Sequence, residues 1–143
     1  MSVTEHDLVE AFPPGRGWHG PIGGIPPEIV TIEADFRGKK WTEIEPAVCD
    51  RHSDAYNMLD VEPLAYFLPA FLRTAIVEPR GNAAEFLVYF VCSGQANDLY
   101  MQLTEDQRDL LKGIVASTIA FNDHYACGEK QQFLARLREW DAR

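Results

Sequence analysis

The chain has 143 residues, 46% of them hydrophobic and 24% charged, with a net charge of −9; this is enough apolar material for one domain with its own core, and the wrong sign of charge for gripping DNA or RNA phosphates. No stretch approaches the roughly 18 apolar residues of a membrane span, and the opening residues lack the basic and apolar segments of an export signal. Three widely spaced cysteines, Cys49, Cys92 and Cys127, do not make a disulfide framework, so a reducing, cytoplasmic setting is expected.

The charge is uneven: residues 1–62 hold twelve acids and five bases, whereas residues 63–143 hold ten and eight. An acidic front half suits a basic partner, although acidity also serves solubility alone.

Taken in chain order, the elements are helical. Thr4 caps a first helix over residues 4–12, with Asp7 at the third position and Val3 and Leu8 placed as a hydrophobic staple, and Pro13-Pro14 ends it. Residues 13–27 hold five prolines and five glycines, a composition that predicts a loop. Pro26-Pro27 then opens a helix with Ile25, Ile29, Ile32 and Phe36 on one side, closed by Gly38 as a left-handed cap. Thr42 and Glu45 have capping-box spacing ahead of a helix over 43–51.

Residues 62–77 have a helical pattern in which Pro69 predicts a kink or two abutting helices. Asn82 and Glu85 have capping-box spacing before the apolar run Phe86–Cys92. Periodicity alone would also allow a buried strand over residues 84–92, and the cap decides for helix. Thr104 and Gln107 open a long helix whose stripe is Leu103, Leu110, Leu111, Ile114, Val115, Thr118, Phe121 and Tyr125. A last helix follows Gly128, with Phe133, Leu134, Leu137 and Trp140 inward. The expected fold is an all-α, compact single-domain bundle.

Four landmarks, Phe36-Arg37-Gly38-Lys39-Lys40-Trp41, His52-Ser53-Asp54-Ala55, Tyr66-Phe67-Leu68-Pro69-Ala70-Phe71-Leu72 and Leu103-Thr104-Glu105-Asp106-Gln107-Arg108, occur in an order and spacing that resembles a family of small bacterial proteins carrying a domain of unknown function. The resemblance runs from about Glu28 to Phe121. It implies a compact helical bacterial domain and supplies no activity or catalytic residues. The Gly-rich stretch at 15–24 and the last helix lie outside it.

Several groups of residues invite a chemical reading. Cys49-x-x-His52 and His124-x-x-Cys127 are two ligand pairs at one-turn spacing and would complete a Cys₂His₂ zinc site if their helices met. The alternative, which we adopt, is buried thiols and surface imidazoles in a chain with enough apolar residues to fold unaided. His52, Ser53 and Asp54 have the residue types of a hydrolytic triad, but neighbours on one turn diverge and no nucleophile elbow is present. Asp54 is instead expected to cap the helix carrying Tyr56, Met58 and Leu59, with His52 partly exposed.

The Gly15–Gly24 stretch lacks the Lys-Ser/Thr end of a phosphate loop. Trp18 beside His19 is either an exposed interface anchor or folds back to pin its loop; Trp41 and Trp140 are assigned to packing. Tyr66, Phe67, Phe71, Phe86, Tyr89 and Phe90 are expected to fill the bundle interior or line a ligand pocket. No cofactor is expected.

The functional expectation is a small acidic, non-catalytic binding module. It would meet a basic protein through Trp18, Glu33, Asp35, Glu43, Glu45 and Asp54, as an immunity protein meets a toxin. The second expectation is a metal-assisted enzyme or zinc-stabilised domain built on Cys49, His52, His124 and Cys127.

Overall fold

The computed structural model describes residues 3–23, 28–122 and 127–141, the side chains of Glu28, Cys127, Trp140 and Asp141 excepted. Expectations for Gly24, Ile25, the Pro26-Pro27 helix start, His124, Tyr125 and the side chains of Cys127 and Trp140 therefore lie outside the described residues. Within them the chain forms α1 (Glu5–Ala11), α2 (Glu28–Phe36), a 3-10 turn (Trp41–Glu43), α3 (Pro46–Arg51), α4 (Ala55–Met58), α5 (Val61–Val77), α6 (Asn82–Cys92), α7 (Asn97–Gln102), α8 (Glu105–Phe121) and α9 (Cys127–Asp141), with no strand. The bundle is all-α, and the apolar run at 84–92 is helix.

The organising element is α5. It touches α1, the 3-10 turn, α3, α6, α7 and α8, and Pro63, Leu64, residues 67–72, Thr74 and Ala75 are all buried on it. Pro69 sits inside this one unbroken helix, which corrects the alternative of two abutting helices. A mid-helix proline costs about 3 kcal/mol, while each fully buried Phe or Leu returns about 1.5–3 kcal/mol; Phe67, Leu68, Phe71 and Leu72, all fully buried, outweigh it. Around them an aromatic chain runs from Phe36, 5.1 Å edge-on to Phe67 and 5.9 Å from Phe71, through Tyr56 to Phe90.

Of the four capping boxes that spacing predicts, two form and two do not. Thr4 with Asp7 and Thr104 with Gln107 form reciprocal capping boxes. Thr42 and Glu45 do not: Glu43 accepts from the Lys40 N–H at 2.8 Å, and α3 starts on Pro46 with Glu45 outside it. Proline at the first helical position needs no amide partner, so this start prevails. Asn82 is not a cap either, since Gly81 precedes α6 and the Ala83 N–H donates to Asp50 Oδ1 of α3 at 3.0 Å. Asp54 stands at the start of α4 without a capping bond, because its ψ of 0° is not the extended geometry a side-chain cap uses.

The Pro/Gly loop is tied down. Trp18 N–H donates to Lys39 C=O at 3.1 Å and Gly38 N–H to Trp18 C=O at 2.6 Å. A Cβ on Gly17, whose φ is +91°, would lie 2.9 Å from the Lys39 carbonyl carbon, so both its conformation and this approach require glycine. Trp18 Nε1–H donates to Pro21 C=O, and its ring lies 5.9 Å from Tyr66. Trp41 is fully buried and donates to Phe12 C=O at 2.7 Å, closing the end of α1 against the 3-10 turn.

Candidate binding groove

Helix α8 presents two stripes. At about 100° per residue, Leu111, Ile114, Val115, Thr118 and Ile119 fall on one arc and are buried. Asp106, Asp109, Leu110, Gly113, Ser117 and Phe121 fall on the arc beside it. This second arc, with Val3, Asp7, Glu10 and Ala11 of the α1 segment and Ile76 and Pro79 at the end of α5, lines an open groove of about 700 Å³. Gln107 Nε2–H donates to Ala11 C=O at 2.8 Å, which holds the end of α1 against the first turn of α8 and so sets one end of the groove.

The two ends differ in chemistry. Acidic side chains come from both helices at the α1 end: Asp7 caps its own helix, exposed Glu10 lies 3.1 Å from His6, and exposed Asp109 lies 3.8 Å from Lys112. The bonds from Thr4 hold the Asp7 carboxyl below its ordinary range. Toward the other end the surface is apolar, with Ile76 and Phe121 exposed and the Arg80 guanidinium 5.1 Å from the Phe121 ring. Gly113, at mid-groove, has nothing within 4 Å of where a Cβ would stand.

The sequence-derived acids are placed differently. Asp35 Oδ2 accepts from His52 Nε2–H at 2.6 Å and faces Arg51 at 3.4 Å, and these hydrogen bonds and charges lower its pKa against the opposing cost of burial. Glu43 caps the 3-10 turn, Glu33 is half-buried, and Glu45 and Asp54 are exposed. Trp18 folds back onto its loop and borders a second cavity of about 640 Å³ with Tyr56, Leu64, Phe90, Asp60 and Glu62. Phe86 and Tyr89 are exposed rather than interior, as is Phe121, while Phe67, Phe71 and Phe90 are buried and Tyr66 is partly so. Successive α6 residues turn by about 100°, so an unbroken apolar run cannot face the core throughout, and Phe86 and Tyr89, three residues apart, share the outward side.

Among the ligand candidates, Cys49 is fully buried and burial pushes its thiol up to about 12, against a hydrogen bond with Thr74 that lowers it. His52 is buried, not partly exposed, and packs edge-on to Phe36 with its Nε2 directed at Asp35. Asp35, not Asp54, is thus the carboxylate beside this imidazole. Among the described residues, no three His, Cys, Asp or Glu side chains are gathered as for a metal ion, and no helix is long and apolar enough to cross a membrane. The sequence assigned the groove residues Glu10, Asp106, Asp109, Gly113 and Ser117 to no site; the available signal was the recurrence of Asp106, Asp109–Leu110, Gly113, Ser117 and Phe121 at steps of three and four.

No protein-family model, curated protein or solved structure is significantly similar to this chain.

Proposed function

We propose that this chain is a non-catalytic binding protein that docks and neutralises a basic protein, in the manner of an immunity protein guarding its producer against a toxin. The observation that carries the reading is the groove between α1 and α8, where an apolar wall runs into acids supplied by two separate helices. Apolar contact would supply affinity, and the acids would supply steering and selection for positive charge. The described thiols are buried and protonated and His52 is engaged by Asp35, which favours a surface that binds over one that reacts.

Immobilised protein exposed at low salt to an extract of its native cell is expected to retain one basic protein in stoichiometric amount. Raising salt and the triple change Glu10→Gln, Asp106→Asn and Asp109→Asn should each release it, and co-expression should relieve that partner's toxicity. Recovery of no stoichiometric protein, or of one indifferent to both salt and the triple change, overturns the reading.

A further inference from the structure

We propose that the occupant of the α1–α8 groove is an amphipathic α-helix of the basic partner, its cationic side chains against Glu10, Asp106 and Asp109, its apolar face on Leu110 and Phe121, and its backbone closest at Gly113. This rests on the reading of the chain as a binder of a basic protein and specifies which part of that protein it holds.

Gly113 lies midway along a 17-residue helix, where glycine is the least favourable residue after proline. Neither ordinary reason for a glycine applies: its φ is not positive, and a Cβ would meet nothing within 4 Å. A missing Cβ on a groove wall does permit close approach of another backbone. One turn further on, Ser117 keeps the wall low.

From Asp106 to Phe121 the axis of α8 rises about 22 Å, the length of a helix of about 15 residues. Of the common ways to hold a protein segment, strand addition needs a sheet edge, and the described residues contain no strand. Laying an amphipathic helix into a groove needs an apolar surface for the helix's anchors, and Ala11, Ile76, Leu110, Ile114 and Phe121 supply one along this groove. A second copy of the chain, with its net charge of −9, is repelled by the acids at the α1 end.

The probe is a synthetic 16-residue peptide with leucines at helical spacing and lysines in its first two turns, compared with a scramble of the same composition and a version with glutamate for lysine. Fluorescence anisotropy at low salt is expected to show binding of the first and at least tenfold weaker binding of both controls. Hydrogen exchange should slow across Glu5–Ala11 and Glu105–Phe121. Gly113→Leu should weaken the peptide at least tenfold while leaving the melting temperature unchanged or raised, which separates a blocked groove from an unfolded protein.

Absence of binding at about 100 μM peptide, equal binding of the scramble, an unchanged affinity in Gly113→Leu, or protection around Asp60 and Glu62 instead would each overturn the assignment. The capture experiment fails separately: a basic protein still retained by Gly113→Leu means that the chain binds its partner elsewhere, and peptide binding without any captured protein means that the groove exists but the proposed role does not.

Discussion

His52 and Asp35 meet across 17 residues of sequence, with the imidazole almost out of solvent and the carboxylate about one-quarter exposed. Asp35→Ala leaves a buried ring nitrogen without its acceptor, at a cost of about 1–3 kcal/mol, measurable by urea denaturation at neutral pH. The pH dependence has a fixed sign. The folded-state pKa of Asp35 is depressed, first by the His52 hydrogen bond and then by the charges of His52, Arg51 and Lys39. Its contribution is therefore present above the unfolded value, about 3.9, and is lost as pH falls through the lower folded value. Asp35→Asn should flatten the acid limb of the stability curve below about pH 4; an unchanged limb would place the acid sensitivity elsewhere. Cys49 and Cys92, both buried and both pushed up to about 12 by desolvation, should resist a thiol reagent at pH 8 until the protein unfolds, because the thiolate is the reacting form. Peptide mapping of the labelled native protein checks this residue by residue.

Helix ends show how far local pattern reaches. The Thr4–Asp7 and Thr104–Gln107 boxes form as their spacing predicts, whereas Thr42–Glu45, at the same spacing, gives way to the proline start at Pro46. The start of α6 is not legible in local spacing, because its acceptor, Asp50, stands 33 residues upstream on α3; only the fold brings it there. Asp50→Ala should cost about 1 kcal/mol and Asp50→Asn much less, since an amide oxygen can still accept. Faster amide exchange confined to the first turn of α6 would identify the lost cap. The two arcs of α8 merge into one when apolar residues alone are counted, and Leu110 and Phe121 then pass for core while Ile119 goes unnoticed. Burial separates them, since Ile119 is fully buried and Phe121 is about half exposed. The glycine between the acids and Phe121 carries its own forecast: Gly113→Ala should stabilise α8 by about 0.5–1 kcal/mol, because the added methyl enters open space. A loss of stability would mean that the groove is narrower in solution than its walls indicate.

At the scale of the molecule, α5 supplies a rigid centre and α1, α5 and α8 meet along one side of it, so the groove is framed by packed helices rather than loops. A preformed surface of this kind loses little conformational entropy on binding, and its selectivity then rests on charge. The molecule carries −9, and four of its carboxylates, Asp7, Glu10, Asp106 and Asp109, line the groove. Opposite charges attract over a screening length of about 30 Å at 0.01 M salt and about 8 Å at 0.15 M. The encounter with a basic helix should therefore slow by about tenfold or more across that range, while dissociation, governed by the apolar contacts at Leu110 and Phe121, changes far less. Stopped-flow association measured against ionic strength separates the two. The triple change Glu10→Gln, Asp106→Asn and Asp109→Asn should flatten the salt dependence of the association rate and leave that of dissociation nearly where it was. Equal slopes for the wild type and the triple variant would mean that the whole acidic surface, and not the carboxylates of the groove, draws the partner in.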